Sequence, residues 1–410
     1  MKKFFKSEII RGGLSLFVLF NIFNFLGFLY QVLMAKTLGP EDYGVLAVLF
    51  SLFYFIAIPS EIIQTTASKY TSKFKVKNEY GMIKKLLISF LSNGFLISLL
   101  VFILALPLFY WYSEFVHVEL SLIVLMGIMI FPSFLSPVSR GILQGMKKFN
   151  SLGINMVIDA FIKLSVALLL VYFGFRVYGA IIGTLLGAVV GLVFSFLPLK
   201  KIIYTKKEDR NIPNILSYTS PVFFAMIAIM FVQSIDIILA KRFFNSNLAG
   251  QYAAANLVGK MIFLGTISIA KVLLPISSEK HESGRNSISS FMKSFFAIII
   301  LCIIATIFVV GLQDVFINII FGSQYFEIRN ILLNLCIAFS LISISNLVLI
   351  YGISINKKIR AWHVIIFCSA QIGLLYTFNQ NLVLFSMAMI LTSALFLTGS
   401  LLIVFGKPIK

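Results

Sequence analysis

The chain has 410 residues, 60% of them hydrophobic and only 12% charged, with a mean hydropathy of +1.00 and a formal net charge of +19. A water-soluble core of this length could not hide so much apolar surface, so lipid is the expected solvent and an ordinary soluble enzyme is excluded. A positive excess of this size would suggest nucleic acid in a soluble chain, but the placement of the charges gives it another cause and no nucleic-acid partner is expected.

Crossing a bilayer core of about 30 Å takes roughly 20 apolar residues in a helix. In chain order, segments of that length run over residues 12–35, 43–66, 86–109, 120–140, 152–175, 177–199, 213–240, 250–277, 290–312, 329–352, 361–379 and 382–405. Twenty-six of the 34 Lys and Arg residues lie in every second gap between these segments: 2–11, 69–85, 140–148, 200–210, 280–293, 357–360 and the tail with Lys407 and Lys410. Cations resist translocation during insertion, so loops rich in them stay inside. The expected protein is a multi-pass protein of the plasma or inner cell membrane with both termini cytoplasmic. Basic residues followed by an apolar stretch at the N-terminus imitate a signal peptide, but the apolar run continues without a small-x-small cleavage site, so it is read as a retained anchor. Prolines 59, 107, 132, 137, 221 and 275 fall in or near the segments, where neighbours must satisfy the carbonyls they free.

Connections on the lysine-poor side are short. The longest, residues 313–329, has no room for a folded domain, which weighs against a membrane glycosyltransferase or polymerase. No phosphate-cradling GxxxxGK[ST] loop is present, and the chain is read as a non-enzyme. Cys302, Cys336 and Cys368 fall singly in apolar segments, and His117, His281 and His363 are scattered. Neither set has metal-ligand spacing, and no metal or other cofactor is expected.

The halves resemble each other. Residues 32–36 (VLMAK) recur as 237–241 (IILAK), 205 positions later, and each is followed by a Gly/Tyr pair, Tyr43 with Gly44 and Gly250 with Tyr252. Six segments per half is an even number, so both copies insert in the same sense. The expected fold is all-α and polytopic, with about twelve transmembrane helices in two parallel six-helix lobes, residues 1–205 and 206–410, around a central cavity. Gly179, Gly183, Gly187 and Gly191 recur at every fourth position of the sixth segment and predict a close helix–helix contact.

Ionisable groups inside hydrocarbon are costly and need a reason. Asp159 and Lys163 are one turn apart and stack on one face, either as a self-neutralising pair or as cavity groups. Lys260 and Lys271, eleven residues apart, return to nearly the same face of the eighth segment, and Asn256 joins that stripe. Ammonium groups on one wall suit an anionic head group such as a pyrophosphate. Asp236 occupies the repeat position of Gln31, which shares a polar stripe with Asn24 and Asn21. It is read as a coupling-ion or cavity-tuning group with Asp159, or as a partner for Lys241 or Arg242. Glu61 is read as an interfacial carboxylate.

Three stretches carry a family resemblance: residues 35–52 (AKTLGPEDYGVLAVLFSL), 139–160 (SRGILQGMKKFNSLGINMVIDA) and 234–263 (SIDIILAKRFFNSNLAGQYAAANLVGKMIF). Their order and spacing resemble the Wzx-type oligosaccharide flippases, or polysaccharide biosynthesis proteins, of the MOP superfamily. The resemblance implies alternating-access transfer of a polyprenyl-pyrophosphate-linked oligosaccharide to the external leaflet. It implies membrane lipids and polysaccharide-assembly proteins as partners. Lys163, Lys260, Lys271, Asn256, Asn24 and Gln31 are the candidate substrate-binding residues. The main alternative is a MATE-like cation-coupled drug or metabolite antiporter, whose cavity is expected to be dominated by carboxylates.

Overall fold

The computed structural model describes residues 8–208, 229–283, 285–355, 357 and 361–406. Among them every regular element is helical. Among the described residues eight helices are long and apolar enough to cross a membrane: Val18–Tyr54, Tyr80–Val116, Leu120–Gly145, Phe149–Tyr204, Ser246–His281, Ile288–Gly311, Ile328–Ser354 and Leu382–Phe405. The expectation of a polytopic all-α membrane protein therefore holds. Two of these stretches each contain a break in helical geometry, at Gly39 (φ 76°) and at Gly174 (φ 88°), where the absence of a Cβ admits the left-handed backbone. Most of the predicted segment 213–240 lies outside the described residues.

Two compact units divide the chain: Met1–Leu38 with Leu52–Tyr218, and Gly39–Ser51 with Thr219–Lys410. In the first unit α1 (Glu8–Val76, two helices joined at Gly39, with residues 39–51 belonging to the second unit) is followed by α2 (Tyr80–Val116), α3 (Leu120–Gly127), α4 (Ile130–Gly145), α5 (Phe149–Leu170), α6 (Arg176–Ser195) and the short α7 (Lys200–Tyr204). Pro107 and Pro137 lie within α2 and α4.

The glycine run of α6 packs on α5. A Cβ at Gly183 would lie 2.5 Å from the Ala167 nitrogen, and one at Gly187 would lie 2.6 Å from the Asp159 carbonyl oxygen. Only a missing side chain allows the two backbones to come this close, and without a hydrophobic force between helices in lipid that contact is what holds them.

Three of the lysine-rich gaps converge. Phe74 at the end of α1, Met82 and Ile83 in α2, Leu143 in α4, Leu199 and Ile202 form one buried apolar cluster with Leu86, Val138 and Leu152. The gaps 69–85, 140–148 and 200–208 thus meet at one end of this unit, as the charge alternation requires.

The second unit contains α8 (Ile235–Phe243), α9 (Ser246–Glu282), α10 (Ile288–Gly311), α11 (Gln313–Phe316), α12 (Ile328–Ser354), α13 (Ala361–Thr377) and α14 (Leu382–Phe405). Its centre is α12, buried along most of its length between α9 and α14. Residues 39–51 pack here as well. A Cβ at Gly250 would lie 1.7 Å from the Pro40 carbonyl oxygen, and one at Gly44 would lie 2.9 Å from the Gly250 nitrogen. The Gly/Tyr motifs read as repeat landmarks are therefore the two sides of one backbone contact. The connection 313–329 is folded onto this unit: Phe321 and Tyr325 are buried, Asp314 pairs with Arg329, and Gln251 donates to the Gln324 carbonyl at 2.8 Å.

Several hydroxyls within the helices bond to their own helix. Ser343 and Ser345 donate to Phe339 and Leu341, and Ser400 to Phe396, which removes the cost of a bare hydroxyl in an apolar layer.

Candidate functional site

In the first unit, polar groups gather in two places along α5. Near its middle, the Lys163 ammonium lies over the Tyr30 ring of α1, 4.1 Å from the centroid. The Tyr30 hydroxyl is buried and donates to the Ala180 carbonyl of α6 at 2.9 Å, while Thr184 donates to the Tyr30 oxygen at 3.1 Å. Three helices are tied at this point, and a half-buried cation is held against an aromatic face, an attraction that grows as water is excluded. Gln31 is half-buried beside Tyr30, and Asn24 is exposed two turns earlier.

One turn before Lys163, Asp159 takes a different partner. The Arg140 guanidinium of α4 meets its carboxylate at 2.7 Å, and the two side chains are 14% and 16% exposed. Arg140 also donates through Nε to Asn155 at 2.9 Å, and Asn155 donates to the Gly191 carbonyl at 2.6 Å. The sequence reading counted Arg140 among the cations of a loop. It is instead the last-but-one turn of α4, turned inward to the fifth helix, so Asp159 is bound to Arg140 as well as standing near Lys163. The missed signal was the spacing of Arg140 and Asp159 across a short connection, which places them level on adjacent antiparallel helices.

In the second unit the stripe Tyr252, Asn256 and Lys260 recurs at every fourth position of α9, one face of the helix. Asp236 on α8 sits against it, fully buried. Its Oδ2 accepts from the Tyr252 hydroxyl at 2.9 Å and from the Asn256 amide at 2.5 Å. Among the described residues no donor stands in hydrogen-bonding geometry to its Oδ1 or to the Asn256 Oδ1. Lys260 lies near enough for its charge to act on Asp236. A carboxylate oxygen and an amide oxygen buried without donors are costly, which sets this pair apart from the satisfied Arg140–Asp159 pair of the first unit. Lys241, offered as a partner for Asp236, donates to Ser246 at 2.5 Å instead.

Lys271 lies on α9, eleven residues beyond Lys260, but its side chain falls outside the described residues. Glu61 is exposed on α1. Tyr30 and Tyr252 were not read as site residues. The available signal was a phenol inside an apolar helix, whose hydroxyl must find a partner when buried.

Comparison with known proteins places this architecture. Residues 9–281 match the family described as "Polysaccharide biosynthesis protein". An uncharacterized membrane protein of Methanocaldococcus jannaschii is 25% identical over 280 residues, 63% of this chain and 65% of that relative, so the match spans less than two thirds of the relative's length. Among solved structures, an inward-facing multidrug resistance MATE family transporter of the MOP superfamily superimposes with a TM-score of 0.74 at 15% identity, over 93% of this chain and 94% of its own. The lipid II flippase MurJ in an inward closed conformation gives 0.68 at 18% identity, over 94% and 86%. At such identities these two show the fold alone. With the family match covering most of the chain, this membrane protein belongs to the polysaccharide biosynthesis protein family and has the helical fold shared by MATE transporters and MurJ.

Proposed function

We propose that the protein moves a polyprenyl-pyrophosphate-linked oligosaccharide from the cytoplasmic to the external leaflet of the cell membrane by alternating access, for synthesis of a surface polysaccharide. The observation that carries this reading is a half-buried ammonium in the apolar part of each unit, Lys163 against Tyr30 and Lys260 beyond Asn256. A lysine is costly there unless it faces water or an anion, and a lipid-linked pyrophosphate supplies an anion in a molecule whose tail stays in the bilayer. Membership of a polysaccharide biosynthesis family supports a glycan cargo, and the protein is then a transporter and not an enzyme. Lys163, Lys260, Lys271, Asn256, Asn24 and Gln31 are the proposed substrate-side groups. The lysine-rich end of the first unit is proposed to be cytoplasmic, with both termini.

Asp236 is proposed as the coupling-cation group, on the strength of its unpartnered Oδ1 beside that of Asn256. The same observation favours a second reading, a cation-coupled antiporter of drugs or metabolites, which the MATE-like fold accommodates. The two part company in proteoliposomes carrying a fluorescent polyprenyl-pyrophosphate disaccharide. A flippase shifts the label between leaflets, read by an impermeant quencher, and lipophilic cations do not compete. Efflux of a lipophilic cation with no movement of the labelled lipid would favour the antiporter.

A further inference from the structure

The lysine-rich end of the first unit holds more than scattered loop charges. Residues 73–85, 144–150 and 197–208 contain eleven lysines against two glutamates, Glu79 and Glu208. Three of the lysines, from three separate stretches, are brought together. Lys75 reaches across to donate to the Met146 carbonyl at 2.7 Å, and Lys148 donates to the Pro198 carbonyl at 2.5 Å. These bonds satisfy carbonyls at the ends of α4 and α6. They also bring α7, with Lys201, beside Lys148. Burial, and then the neighbouring charges of Lys201 and Lys75, hold the Lys148 ammonium below the ordinary lysine range.

Retention of loops on one side requires only that the cations lie in the right gaps. It does not require them to be fixed against one another, which like charges within a Debye length resist. One backbone bond does not use up the three donors of an ammonium. Next to the lysines the surface turns apolar: Tyr204 is 84% exposed, and Leu197 and Phe194 continue along the end of α6 as exposed hydrophobic side chains. A cationic spot bordered by an aromatic ring and a strip of apolar side chains matches a molecule with a phosphate at one end and hydrocarbon at the other.

We propose that Lys75, Lys148 and Lys201 form a binding site for the phosphate of an anionic phospholipid, with Tyr204 at headgroup level and the acyl chains along Phe194 and Leu197. The site lies at the surface of one unit, apart from Lys163, Asp159 and the groups assigned to transport, and it makes the protein's stability depend on bilayer composition.

The full chain, purified and passed through bilayer discs of phosphatidylcholine with or without phosphatidylglycerol, is analysed for retained lipid by native mass spectrometry. Wild type is expected to retain phosphatidylglycerol in preference to phosphatidylcholine. Lys148→Gln with Lys201→Gln lowers that retention roughly thirtyfold, as expected for two lysines at a charged surface. Lys201→Arg keeps it. The exposed single change Lys201→Gln, which disturbs no backbone bond, lowers it by roughly fivefold and serves if the double variant does not fold. A control with the same charge change elsewhere, Lys280→Gln with Lys293→Gln, leaves it unaltered. Equal loss in the control, or no preference in wild type, overturns the site. Displacement of the lipid by inorganic phosphate as readily as by added phosphatidylglycerol assigns the site to a soluble anion and overturns the lipid. None of these readouts involves transport, so failure here leaves the flippase reading untouched.

Discussion

At the scale of single residues the two units use charge differently. Asp159 is matched by Arg140 at 2.7 Å in a mostly buried pair. Breaking such a pair leaves a bare charge and costs about 3 kcal/mol, whereas replacing both members is much milder. Arg140→Ala is therefore expected to lower the unfolding temperature of the purified protein strongly, and Arg140→Ala with Asp159→Asn to recover most of the loss. If the single and double variants unfold together, the pair is not structural. Asp236 instead accepts from the hydroxyl of Tyr252 and the amide of Asn256, with Lys260 near enough for its charge to act on it. Asp236→Asn keeps the size and removes the charge. Transport by this variant is expected to lose its dependence on an imposed proton or sodium gradient while the protein inserts at wild-type abundance. An unchanged gradient dependence would contradict the coupling role.

The lysines and aspartates could be found from the sequence because an ionisable residue inside an apolar run has few innocent explanations. Their partners could not. Arg140 was legible only as a cation near a gap, and Tyr252 only as a repeat landmark, because which side chain meets which depends on the rotation of one helix against the next. That rotation is fixed by packing across helices, a property no single segment displays.

At the scale of helices, missing side chains decide the contacts. The glycines of α6 could be read as a packing face from their spacing, and a Cβ at Gly187 would meet the Asp159 carbonyl oxygen at 2.6 Å and the Lys163 Cβ at 2.8 Å. Gly187→Leu is expected to push α6 off α5 and to reduce the yield of folded protein several-fold. Gly265, with nothing within 4 Å of its missing Cβ, is an open site for comparison. Gly265→Ala is expected to be neutral or slightly stabilising, by up to about 1 kcal/mol, since alanine restricts the unfolded chain. Fluorescence-detected size exclusion in mild detergent checks both, and equal behaviour of the two variants would show that the glycine run is not a packing face. The contact of Gly250 with Pro40 was not legible in this way. Both glycine motifs were visible, but nothing local to either says that one backbone rests on the other.

At the scale of the whole molecule, the alternation of lysine-rich and lysine-poor gaps reported the polytopic architecture before any coordinates, because the membrane acts on every loop alike. The convergence of three basic gaps on the cluster around Phe74, Ile83, Leu143 and Ile202 is the structural counterpart of that pattern. A cysteine placed at Lys201 is expected to react with an impermeant thiol reagent only after the cell is opened, and one at Glu119 in intact cells. The reverse pattern would invert the proposed orientation. The helical breaks at Gly39 and Gly174 fall where the apolar segments 12–35 and 43–66, and 152–175 and 177–199, were expected to end and begin, although a glycine in a sequence gives no sign of its φ angle.

The central claim is that a lipid-linked glycan changes leaflet through this protein. Its most direct test is the leaflet distribution of polyprenyl-pyrophosphate-linked glycans in cells with and without the gene, read with a glycan-modifying enzyme that cannot cross the membrane. The account predicts that loss of the gene leaves glycan protected on the cytoplasmic side, that restoring the gene exposes it, and that Lys260→Ala at equal abundance does not. A distribution that is the same with and without the gene would contradict it.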